Sequence, residues 1–138
     1  MSPKTRLDAA VRIREVDEDR ARMTLAEAQR LANKTAVAVR ETAQRALADD
    51  RRSGTAADWT LIESANIRAL QEARRAELER IAAEEKLGRS RVCFVGARTR
   101  AEALRRVLEA RRTEIQAAER LTENKAMDEV ATILHIRR

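Results

Sequence analysis

The chain has 138 residues, 29 Lys and Arg against 23 Asp and Glu, a net charge of +6, and only Trp59 and Phe94 as Phe, Trp or Tyr residues. Its 43% hydrophobic content leans on Ala, which buries little area, so a thick globular core is excluded and long helices are favoured. One cysteine, Cys93, and one histidine, His135, exclude an intrachain disulfide and a metal constellation, and no apolar run is long enough for a membrane span or a secretory signal, so the expected location is the cytoplasm.

A first helix is expected over about residues 3–52. Pro3 suits a first helical turn, and Thr5 with Asp8 has capping-box spacing. Alternate steps of four and three residues then give Leu7, Val11, Arg14, Glu18, Ala21, Leu25, Ala28, Ala32, Thr35, Val39, Thr42 and Ala46, a narrow seam of mostly small residues that allows close helix approach. A turn is expected at 53–55, Ser53-Gly54-Thr55, with Gly54 as the left-handed residue that ends the helix.

Thr55 and Asp58 repeat the capping signature for a second helix over about 56–136. The same stepping from Ile62 gives Asn66, Ala69, Ala73, Ala76, Arg80, Ala83, Leu87, Ser90, Phe94, Ala97, Ala101, Leu104, Leu108, Arg111, Ile115 and Ala118. So short a turn makes the two helices antiparallel neighbours. The expected fold is therefore all-α, one domain over 1–138, a long two-helix antiparallel coiled-coil hairpin. The second helix is the longer and must overhang. Its overhang keeps Ile115, Leu121, Met127, Val130, Ile133, Leu134 and Ile136, which a solitary solvated helix would not need.

Pairing outward from the turn sets residue i of helix one against roughly residue 109 − i of helix two. Glu15, Asp17, Glu18 and Asp19 then fall near Arg89, Arg91 and Arg98, and are expected to neutralise part of the basic stretch at 86–112. Arg105, Arg106, Arg111 and Arg112 fall opposite Lys4 and Arg6 or beyond helix one, as a basic collar at the open end. Gly88 and Gly96 bracket the one stretch where helix propensity sags, each at a cost of about 1 kcal/mol relative to Ala. A lone strand there would leave its backbone unpaired, so the segment reads as a continuous but softened helix.

Catalytic signatures are missing. There is no Gly-rich phosphate loop, no arrangement one histidine could serve as a triad base, and no cleft for paired carboxylates. The chain is expected to be no enzyme, with no cofactor, no metal site and no small-molecule substrate. The basic collar could touch phosphates, but aromatic stacking residues are almost absent and no nucleic-acid motif appears, so no specific nucleic acid is expected.

The opening Leu7-Asp-Ala-Ala-Val-Arg-Ile-Arg-Glu15, then Asp17-Glu18, Ala21 and Leu25-Ala-Glu-Ala28, and the ending Glu119-Arg-Leu-Thr-Glu-Asn-Lys-Ala-Met-Asp-Glu-Val-Ala131 resemble the flagellar FliJ family and the related stalk proteins of type III secretion. That resemblance implies a cytoplasmic component of the flagellar export apparatus, peripheral at the inner membrane, similar to the central stalk of rotary ATPases. It implies three partners: the hexameric export ATPase, the export gate protein and export chaperones. By position, the resemblance places ATPase binding at Leu7, Val11, Arg14, Met127 and Val130 together with Arg105, Arg106, Arg111 and Arg112. It places export-gate binding at Arg40, Gln44, Leu47, Trp59, Ile62 and Ile67. A generic coiled-coil scaffold and a basic hairpin bound to nucleic acid or ribosomes remain the alternatives.

Overall fold

The computed structural model describes residues 6–48 and 54–136, and among them there are two helices and no strand: α1, Leu7–Leu47, and α2, Ala56–Ile136. The helices pack against each other as an all-α hairpin. Pro3, Thr5, Ser53 and the expected continuation of helix one through 49–52 lie outside the described residues. At its C-terminal end α1 closes with the Ala48 amide donating to the carbonyls of Gln44 and Arg45, at 3.1 and 3.3 Å. Gly54 does not end it. No described residue has positive φ, and Gly54 instead precedes the cap of α2, where a Cβ would lie 3.0 Å from the Asp58 Cβ.

The chain divides into two compact units, one made of the residues up to Glu18 with those from Gly96 onward, the other of Asp19–Val95. In the first unit Val11, Ala97, Ala101 and Leu108 are buried, and so is Glu18. In the second the core is Ala28, Ala32, Ala83 and Leu87, with Leu25 packed against it. Thr35, also buried, satisfies its hydroxyl by donating back to the carbonyls of Leu31 and Ala32, both at 3.0 Å. Phe94 is half-buried, with the Arg22 guanidinium over its ring, 5.9 Å from the centroid.

Every position of the expected helix-one line, from Leu7 to Ala46, is buried or half-buried, and so is every position of the helix-two line from Ile62 to Leu108. Beyond Ile115 all described residues of α2 are exposed, which is the overhang. The pairing differs from expectation. In the first unit Glu15 meets Arg105 and Asp8 meets Arg112. In the second, Gln29 accepts from Arg91. Across these contacts, and those of Glu18 with Arg105 and Arg22 with Phe94, the partner stands between seven and fourteen residues further along α2 than counting outward from the 53–55 turn requires, the offset varying with side-chain reach. The count assumed a symmetric hairpin closed by a three-residue turn, whereas α1 ends at Leu47. These offsets are about two to four whole helical turns, so the slip leaves each side chain on the same face. That is why the seam is right although the register is not.

Thr55 and Asp58 cap α2 reciprocally. The Thr55 amide and hydroxyl both donate to Asp58 Oδ2 at 2.7 Å, and the Asp58 amide donates to Thr55 Oγ1 at 3.3 Å. The hydroxyl and amide donors hold the Asp58 carboxyl below its ordinary range. A lowered carboxyl stabilises the fold above its unfolded pKa and loses that contribution as pH falls through the folded one. Thr55→Ala is expected to destabilise the helix start by about 1 kcal/mol at neutral pH. In urea unfolding that difference should shrink below the carboxylate range, and a difference that grows in acid would refute the cap.

The helix runs without a break through Gly88 and Gly96. A Cβ at Gly88 would meet nothing within 4 Å, and one at Gly96 only the Arg100 guanidinium at 3.5 Å. Gly88→Ala with Gly96→Ala should therefore stabilise the protein by about 1–2 kcal/mol, read as a higher melting temperature and urea midpoint.

Candidate functional site

Among the described residues no cluster of His, Cys, Asp and Glu could hold a metal ion, and Cys93 is free and exposed. What the helices offer is surface. Its features lie at the end containing Asp8 and Arg112, on the overhang, and around the start of α2.

At the first of these, the charges expected to form a free collar are largely used by the fold. Arg105 donates from Nε to Glu15 at 3.1 Å and from Nη2 to the buried Glu18 at 3.0 Å. Glu15, and then Glu18, hold the Arg105 guanidinium protonated more firmly than usual. Arg112 Nη2 donates to Asp8 at 2.5 Å, while its Nε is buried without a hydrogen-bond partner. Arg111 donates to Glu114 on its own helix at 2.9 Å. Arg106 is exposed and bears on the Glu102 carboxyl, one turn earlier on α2, only as a weaker charge. The collar is thus corrected to two arginines that tie α1 to α2 and two, Arg106 and Arg111, that face outward.

The acidic run of α1 also departs from expectation. Asp17 accepts from Arg14 at 3.4 Å and Asp19 from Arg22 at 3.2 Å, both within α1. Arg89 lies 3.9 Å from Glu85 and Arg98 donates to Glu102 at 2.8 Å, both within α2. The Glu102 carboxyl is held down chiefly by that bond, and Glu18 reaches Arg98 only as a weaker charge.

Of the residues assigned to ATPase binding, Val11 is buried, Leu7 and Arg14 are half-buried, and Val11, Arg105 and Arg112 line one shallow depression with Asp8 and Leu108. Met127 and Val130 are exposed on the overhang, and fifteen residues separate Met127 from Arg112, about 22 Å of helix. Of those assigned to gate binding, Arg40, Gln44 and Leu47 are exposed at three- and four-residue spacing, which gives α1 one outward face near its end. Ile62 is half-buried, and Trp59 and Ile67 are exposed. In the register that sets Gln29 against Arg91, Leu47 falls beside about residue 73, so Trp59, Ile62 and Ile67 lie past the end of α1. The sequence reading missed the Glu18–Arg105 pair. The signal available was Glu18 itself, a carboxylate on an otherwise small, apolar seam line, which needs a cation opposite.

The register makes a direct prediction. Arg105→Ala should lower the melting temperature clearly more than Arg106→Ala, because the first removes the hydrogen bonds that tie Glu15 and the buried Glu18 of α1 to α2. Equal effects would show that Arg105 does not join the helices.

Against known families, the family described as Flagellar FliJ protein matches residues 3–138, nearly the entire chain. No curated protein and no solved structure matches it.

Proposed function

The chain belongs to the FliJ family and so has a flagellar export-related role, and within that role we propose that it is a non-enzymatic stalk and adaptor. It binds the export ATPase hexamer through the end where α2 outruns α1. It reaches the export gate protein with the outward face of Arg40, Gln44 and Leu47 and with Trp59, Ile62 and Ile67, and escorts export chaperones. It works in the cytoplasm, peripheral at the inner membrane through the apparatus. No helix among the described residues is long and apolar enough to cross a membrane.

The observation that carries this reading is the overhang. Leu121, Met127, Val130, Ile133, Leu134 and Ile136 are all more than half exposed, and nothing within the hairpin rewards keeping such side chains in water. They fit an apolar surface supplied by another protein. Arg106 and Arg111, which face outward, add charge-assisted contacts to acidic or carbonyl-rich loops. Leu7, Val11 and Arg14 shape that end from α1, and Arg105 and Arg112 act there by holding the two helices together.

The test is the rate of the partner ATPase against added protein. Arg106→Glu with Arg111→Glu should reduce stimulation at low salt and keep helicity, since neither side chain joins the helices. Deleting residues 119–138 should weaken binding at any salt, because that contribution is apolar. A wild-type chain that neither binds nor alters the ATPase, yet shifts RNA with a steep salt dependence, would replace this reading with the nucleic-acid one.

A further inference from the structure

Within the unit Asp19–Val95, α2 carries a second line of residues at three- and four-residue spacing on the face turned away from α1: Leu78, Ile81, Glu85, Gly88, Val92 and Val95. All but Gly88 and Ile81 are strongly exposed, with Leu78 at 68% and Val92 at 74%, and Ile81 is still 42% exposed. The spacing is that of a coiled-coil seam with no helix laid against it.

Taken from its two ends, the line is its own complement. If a second α2 is laid antiparallel about a two-fold axis between Lys86 and Leu87, Leu78 meets Val95, Ile81 meets Val92, and Glu85 meets Gly88. These are the alternating layers of an antiparallel coiled coil. Gly88 is the position where an added Cβ meets nothing within 4 Å, so it leaves room for the longer Glu85 of the facing helix. The flanks also match. The same pairing sets Glu84 beside Arg91 of the other copy, and by symmetry Arg91 beside the other Glu84. In the single chain Glu84 accepts from Arg80 and Arg91 donates to Gln29. All these contacts lie along the edge of the seam, and both side chains remain exposed.

We propose that this outer line is a self-association surface, and that its occupant is a second copy of this chain, paired antiparallel through residues 78–95 of α2. The argument is charge complementarity together with the matched apolar layers. A random amphipathic face has no reason to place its acid on one side of a two-fold point and its base on the other. The proposal is independent of the ATPase reading, which concerns the other unit. So short a contact belongs to the small, transient class of interfaces, below about 1,200 Å², and the expected dissociation constant is on the order of 0.1 mM.

Sedimentation equilibrium of the full chain, over concentrations spanning that value, is the test. The wild type should pass from monomer to dimer, and Val92→Arg should remain monomeric with an unchanged circular dichroism spectrum. Glu84→Arg and Arg91→Glu should each weaken dimerisation roughly tenfold, since two symmetry-related pairs turn from attraction to repulsion. An equimolar mixture of those two variants should associate at least as well as the wild type. In the mixed dimer one chain carries arginine at both positions and the other glutamate at both, so every flanking pair is again opposite in charge, but only if the proposed pairing is right. In a Cys93→Ser chain, Ile81→Cys with Val92→Cys should give an oxidised covalent dimer. A wild type that stays monomeric throughout, a dimer indifferent to Val92→Arg, or charge variants that fail to complement each other would each overturn the proposal.

Discussion

The seam between α1 and α2 is built from alanines, and most of what is unusual about the molecule follows from that. Ala28, Ala32 and Ala83 pack with Leu87 in one unit, and Ala97 and Ala101 are buried, like Val11 and Leu108, in the other. Small side chains bring backbones close but bury little area per layer. They also discriminate poorly between registers, since one alanine fits against another wherever the faces agree. Larger and charged residues must then supply the discrimination. Glu18 does so from inside the seam through Arg105, and Asp8 does so through Arg112. Arg80, which occupies a seam position, turns its guanidinium to Glu77 and Glu84 at the edge.

This explains which parts of the fold were legible in the sequence. Periodicity reports the face a residue occupies, and the seam read from alternate three- and four-residue steps is the seam that is buried. Periodicity is blind to a slip by whole turns, because each of them restores the same face. The register therefore depends on an anchor, and the Ser53-Gly54-Thr55 turn does not supply one. Thr55 belongs to the cap of α2, Gly54 has no positive φ, and α1 is already over at Leu47. Glu18 on a small apolar line calls for a cation opposite it, but Arg91, Arg98 and Arg105 all follow on helix two, and the sequence does not choose among them.

The candidate sites were legible as composition and less so as geometry. A cluster of four arginines was visible in the sequence, but not its partition. Arg105 and Arg112 are engaged within the hairpin, and only Arg106 and Arg111 face outward. Mutating all four together would therefore confuse a loss of binding with a loss of the helix pair. For the same reason net charge is a weak guide to partners here, since much of the local excess is answered by Asp8, Glu15 and Glu18.

The overhang carries a sharper message in its phase than in its exposure. Past Leu108 the seam line continues as Arg111, Ile115, Ala118, Thr122, Lys125, Glu129, Thr132 and Ile136, and so from Thr122 to Thr132 it is polar, where α1 has run out. The apolar residues do not vanish at that point. They reappear on a different line, with Met127, Val130 and Leu134 at three- and four-residue spacing and Ile133 beside them. A frayed remnant of the hairpin seam would keep the old phase and lose apolar content gradually. A new phase, set up where the old one fades, fits a surface other than α1, which is what the stalk and adaptor reading proposed above asks of this length of α2.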